Sequence, residues 1–273
     1  MGPIYLHYSF HAAIAAHHAP VAPAMYPKCK PSSTTSTPAP VLQKVQNSPG
    51  GFYAAMPRLI HHVEYFIGGQ HRNILVSKGG GLQPTEFIIC GVFEISCNDF
   101  NFTPDGNFNP SNVFHGCFAD MKLSCQLTAG HNDAFRFSSE DFPDVLNNLA
   151  HFEGLIPRPG GYDKLSIIHD SLSQRSIKLT HSLFKANKED QQDFAGEVYG
   201  DENYLTDSLS PNFNITTWPV ADQCKGHLQG LISTNIICPL PAYDLDHTLI
   251  LPSQYESKLK GTLIEVHMAF CHY

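Results

Sequence analysis

Histidines and carboxylates that fall close together are the residues best equipped to do chemistry in this chain. Asp244-Leu245-Asp246-His247 places two carboxylates and an imidazole in one polar turn after Pro241, a donor set suited to a cation. His169-Asp170 with Asp163 upstream, and His131-Asn132-Asp133, offer smaller sets of the same kind. Asp-rich turns carry such triples for a second reason, because an Asp side chain satisfies its own turn backbone. Asp244, Asp246 and His247 are therefore metal ligands only if their side chains converge in space. His115-Gly116-Cys117 sets an imidazole near a thiol, but the dyad needs a distant carboxylate or Asn to orient the ring. The ordinary alternative is a core thiol opening a strand. No G-x-S-x-G nucleophile turn occurs.

Other reactive groups read as structural. Glu265 and His267 lie two residues apart in the last strand, with Cys271 continuing the row, and are expected on a solvated sheet face. Lys78-Gly79-Gly80-Gly81 follows a strand, but a phosphate loop needs a helix behind it to aim N–H groups at the anion. Pro84 and another strand follow, so a hairpin turn is expected. His7, His11, His17 and His18 reflect the composition of the first residues. Trp218, the only tryptophan, stands in Thr216-Thr217-Trp218-Pro219. It is the candidate contact for a ligand or partner, with a core plug as its alternative. The eight cysteines contain no C-x-x-C pair and read as free thiols of an intracellular protein. No cofactor is expected.

Composition limits the partners. The chain of 273 residues is 42% hydrophobic but only 15% charged, with 20 Gly and 20 Pro, which favours short strands and turns. Residues 1–58 hold no Asp or Glu and nine of the prolines. Their basic residues are Lys28, Lys30, Lys44 and Arg58, about +4, so the rest carries about −8 − 4 = −12. A body this acidic repels a phosphate backbone, which counts against nucleic acid. The Ala-rich stretch ending Ala22-Pro23-Ala24 faintly resembles a signal cleavage site, but three histidines interrupt it and no Lys or Arg precedes it. An intracellular location, cytoplasmic or nuclear, is expected. Asn101-Phe102-Thr103 and Asn214-Ile215-Thr216 become glycosylation acceptors only in the secretory path. No run is long and apolar enough for a membrane helix.

The elements that must position these groups follow from periodicity. Residues 1–58 read as a disordered leader, because so much Pro, Ser and Thr cannot bury enough apolar surface to order itself. From residue 59 to 273 a β-rich body is expected, beginning with short strands at His62–Gly68 and Asn73–Ser77. Glu86–Cys97 and Gly116–Thr128 are strands, the second alternating Ala119, Met121, Leu123 and Cys125 against Asp120, Lys122, Ser124 and Gln126. One clear helix is expected at about 139–152, capped by Ser139 or Asp141 and packed through Phe142, Val145, Leu146 and Leu149. Strands return at Lys164–Asp170, Ser176–Phe184, Gly230–Cys238 and Gly261–Tyr273.

Residues 86–128 resemble 234–273. Ile88-Ile89-Cys90 and Gly116 in one segment match Ile236-Ile237-Cys238 and Gly261 in the other, and the strands after the two glycines keep the same faces. Two related strand-loop-strand units are the expectation, with chance similarity of amphipathic strands as the alternative and the second unit read as truncated. The fold class is α+β, mainly β: an antiparallel barrel or sandwich with one helix. The favoured function is a non-catalytic binding or assembly module, joined to a protein partner or to itself through a sheet edge. The alternatives are a metal-assisted hydrolytic enzyme built on the His/Asp clusters and a barrel that binds single-stranded nucleic acid.

Overall fold

The computed structural model describes residues 6–7, 14–17, 38–48, 51–67, 73–79, 84–113, 115–157, 166–170, 174–187 and 210–272. In chain order the elements are β1 (Leu6–His7), β2 (Ile14–His17), α1 (Pro38–Gln46), β3 (Phe52–Tyr53), β4 (Val63–Ile67), β5 (Asn73–Ser77) and β6 (Ile88–Ile95). Then follow β7 (Lys122–Thr128), α2 (Arg136–Leu155), β8 (Ile168–Asp170), β9 (Arg175–Ser182), β10 (Phe184–Ala186) and α3 (Lys225–Leu231). The chain finishes with β11 (Asn235–Ile237), β12 (Ala242–Tyr243), α4 (Tyr255–Leu259), β13 (Leu263–Ala269) and β14 (Cys271–His272). The architecture is mixed α and β with mostly strands. The largest sheet has eight strands in the order β12-β2-β13-β6-β7-β9-β8, with β3 also pairing β6. It curls into a half-barrel.

The curl has a local cause. β6 pairs β13 over seven residues, from Ile88–Ala269 to Glu94–Leu263. β7 pairs β9 over six residues. Yet β6 and β7 meet only at Glu94–Thr128 and Ile95–Leu127, so the two halves splay away from that end. A second sheet runs β1-β14-β5-β4. Phe270 alone separates β13 from β14, so the chain passes directly from one sheet into the other. The Leu75 N–H donates to the Phe270 carbonyl at 3.1 Å across that junction.

Helix α2 packs on one face of the large sheet, with Phe142 against Phe93 of β6. Phe142, Val145, Leu146, Leu149 and Phe152 are all buried, as their spacing requires. Phe152 meets Phe87 and Phe270 edge-on at 5.8 and 6.1 Å between ring centres. The helix begins at Arg136, three residues before the expected start. Its entry is a 3-10 turn in which the Asn132 side chain accepts the Ala134 N–H, so neither Ser139 nor Asp141 serves as the cap. Asp141 instead accepts the Tyr53 hydroxyl at 2.5 Å.

The structure corrects several expectations. Four helices lie among the described residues, not one. The large sheet is not wholly antiparallel, since β12 pairs β2 and β3 pairs β6 in parallel. Burial on β13 does not alternate: only His267 is partly exposed in Leu263–Ala269. The reason is α1, which covers the second face. Val41 and Val45 pack with Cys90, Val92, Phe135 and Leu263 in a core of their own. Pro38 and Pro40 sit in the first turn of α1, where the missing N–H costs nothing. Side chains that precede residue 59 thus enter the packed body; Ala54 is 1% exposed, and Asn148 of α2 donates to the carbonyls of Ala54 and Met56.

The two similar segments are wired differently. β6 pairs β7 within the first, whereas in the second β11 pairs β10 and β13 pairs β6. What they share is a left-handed glycine, Gly116 at φ 68° and Gly261 at φ 69°. No helix among the described residues is long and apolar enough to cross a membrane.

Candidate functional site

The Asp244 turn joins β12 to the isolated bridge between Tyr243 and Leu249. The Asp244 Oδ1 accepts the N–H groups of Asp246 at 3.1 Å and Thr248 at 3.0 Å, and its Oδ2 accepts Lys258 Nζ at 3.2 Å. Partial burial pushes the Asp244 carboxyl up, but the Thr248 N–H and the Lys258 ammonium outweigh it and hold the carboxyl below its ordinary value. Both oxygens are thus committed to the turn and to α4. Asp246 and His247 are exposed, and His247 takes a left-handed backbone at φ 57°. Beside the turn lies an open depression of about 440 Å³ with Phe213, Leu249 and Leu251 in its wall and Asp244 and Lys258 at its polar side. Asp246 and His247 do not line it. Among the described residues, no three His, Cys, Asp or Glu side chains gather as a metal site would need.

The other candidates are dispersed. Asp170 accepts Arg175 Nε at 2.7 Å on an exposed hairpin, His169 beside it is exposed, and Asp163 lies outside the described residues. His131 holds Glu94 Oε2 through its backbone N–H and Nδ1. His115 Nδ1 accepts the Asn109 N–H at 2.9 Å, so that nitrogen serves the loop. Trp218 is 3% exposed and donates Nε1–H to the Pro104 carbonyl at 2.7 Å. It plugs the core under the Asp99–Ser111 loop.

Glu265 holds a position that strand periodicity alone missed. It is 3% exposed, with Oε1 2.9 Å from His267 Nε2 and Oε2 3.4 Å from Lys44 Nζ of α1. Burial pushes its carboxyl up, but His267 and Lys44 together outweigh that and hold it below the ordinary value. Cys90 on the same face donates its thiol to the Val45 carbonyl, and burial together with the Glu265 charge pushes it up to about 12. Thiol labelling follows from these environments. Iodoacetamide is expected to modify the exposed Cys97 and Cys117 in the native protein and to reach the buried Cys90, Cys125 and Cys224 only after unfolding, which peptide mass spectrometry checks.

The remaining feature is a sheet edge. β4 ends the second sheet and pairs only with β5 among the described residues, from Val63–Ser77 to Ile67–Asn73. Lys78 N–H donates to the His62 carbonyl at 2.8 Å. In an antiparallel ladder this bond sets the alternation, so Glu64 and Phe66 bond to β5 while the main chain of Val63, Tyr65 and Ile67 turns outward. Leu75 agrees, since its N–H and carbonyl engage Phe270 and Phe87 on the far side from β4. Phe66 is 36% and Ile67 69% exposed, which puts a large apolar side chain on each face of this edge strand. The strand itself is legible from composition, but its position at an edge is set by topology. No protein-family model, curated protein or solved structure matches the chain.

Proposed function

We propose that this chain is an intracellular, non-catalytic binding or assembly module that takes an extended polypeptide segment along the outer edge of β4. The observation that carries the reading is main chain that has no partner among the described residues, together with exposed apolar side chains, at Tyr65–Ile67. Strand addition draws its affinity from main-chain hydrogen bonds and its specificity from alternate side chains, and β4 offers both. Edges that do not pair are usually blunted by charges, Pro or a bulge; Val63–Ile67 carries no Pro and no bulge, and its one charge, Glu64, lies away from the apolar end Tyr65–Ile67.

A photoreactive phenylalanine analogue at position 66 of the full chain tests this in cells. Covalent adducts with a polypeptide are expected there, reduced about tenfold by Ile67→Pro, which removes an outward N–H without touching the ladder to β5. The same analogue at exposed Leu245 serves as the control. Absence of adducts at position 66, or equal adducts at both positions, overturns the reading. So does stoichiometric zinc, manganese or iron in purified protein that is lost on Asp246→Ala.

A further inference from the structure

We infer that the polypeptide taken by β4 is the β4 of a second copy, paired antiparallel about a two-fold axis that passes through Phe66. This rests on the strand-addition reading above and names its partner. The argument is one of parity, burial and charge. Only Val63, Tyr65 and Ile67 present outward main chain, so a two-fold axis falling between residues sets outward groups against inward ones and makes no ladder. The axis must therefore pass through a residue. An axis at Glu64 sets two carboxylates face to face, which is destabilising. An axis at Tyr65 requires the main chain of Val63, a residue only 4% exposed, and an axis at Ile67 leaves Ile67 as the one described residue bonded across it.

An axis at Phe66 meets every condition. Tyr65 then exchanges both main-chain hydrogen bonds with Ile67 of the other copy, and symmetry repeats the exchange. Phe66 faces Phe66 in the closer, non-hydrogen-bonded type of pair, with Cα atoms about 4.5 Å apart. Ile67, the more exposed of the two apolar residues, packs on the half-buried Tyr65 of the other copy. The two Glu64 residues stand about 14 Å apart along the paired strands, beyond the screening length at physiological salt. Two four-stranded sheets become one of eight strands, and the two edges disappear.

The test uses the full chain with Cys97→Ser and Cys117→Ser to silence the exposed thiols. Phe66→Cys, Tyr65→Cys and Glu64→Cys are each oxidised gently, and the disulfide-linked peptides are mapped by mass spectrometry. Phe66→Cys is expected to yield a dimer linked between the two substituted positions, about tenfold above the other two variants, because only that pair comes within disulfide reach. Sedimentation of the unsubstituted chain over a concentration series is expected to show a reversible monomer–dimer equilibrium. Ile67→Pro removes one donor from each copy and weakens it about tenfold. A monomer at every concentration, a dimer indifferent to Ile67→Pro, or preferential linking through Tyr65→Cys or Glu64→Cys overturns the inference. A monomer whose position 66 still crosslinks to a different protein in cells overturns self-pairing and leaves strand capture standing.

Discussion

Trp218→Ala is expected to lower the unfolding free energy by about 3–5 kcal/mol, the usual cost of truncating a buried aromatic side chain to alanine. The indole is 3% exposed and lies in the main core with Phe213, Val220 and Phe108. Its removal also leaves the Pro104 carbonyl without the Nε1–H it now accepts at 2.7 Å. Trp218→Phe separates the two losses: most of the volume is kept, the donor is lost, and about 1–3 kcal/mol is expected. Urea denaturation followed by far-ultraviolet circular dichroism measures both. A change below about 1 kcal/mol for Trp218→Ala would show that the indole lies at a surface, where a partner could reach it.

Acid is expected to remove about 3 kcal/mol of stability through one side chain. His181 on β9 is buried with its Nε2 2.8 Å from the Cys238 carbonyl, which only accepts, so that nitrogen carries the hydrogen. Burial pushes the imidazole down from 6.5 to about 4, against the smaller opposing effect of the Cys238 carbonyl. An unfolded imidazole takes its proton near pH 6.5 and the folded one only near 4, so between those values the unfolded state binds more protons. The contribution is complete above pH 6.5, falls as the pH drops, and levels off below about 4. At 1.36 kcal/mol per pH unit the loss across the window is about 3 kcal/mol. His181→Gln, which keeps an N–H for the carbonyl, is expected to flatten the slope between pH 6.5 and 4 in urea titrations. The Glu265 contribution has the same sign, since its folded value is also lowered, and is separable because its window lies at lower pH. A carboxyl held below its ordinary value adds stability that is present above about pH 4.3 and lost only as the pH falls through its folded value.

Those two side chains mark how far sequence carried and where it stopped. β7 and α2 are legible because their apolar residues recur at intervals of two or of three and four, and β6 because it is a nearly continuous run of Ile, Val and Phe. α3 and α4 span seven and five residues, too short for a helical period to declare itself. α1 is hidden differently: its helical signal is little more than Val41 and Val45, set behind a run of Ser, Thr and Pro. Once α1 is missed, Glu265 reads as a wet residue on an amphipathic strand. The cover that buries it comes from residues far away in the chain. Within the candidate site, the Asp244 turn was visible as a cluster, and the competing explanation, a carboxylate serving its own turn, matches the hydrogen bonds found. The β4 edge could not be seen at all, since a strand's sequence says little about which neighbours it will have.

β13 lies between β2 and β6, and its partners come from the opposite end of the chain. Phe93 and Ile264 must find one another across most of the polypeptide before the large sheet has a middle. Assembly of this kind is slow, because the entropy of closing so long a loop is lost before the contacts reward it. Throughout that wait Ile88–Ile95, with almost every side chain destined for burial, lacks its longest partner and has only short pairings with β3 and β7. β6 is therefore the stretch where misassembly during folding is expected to begin, and shielding it until β13 arrives is expected to raise the yield of native protein.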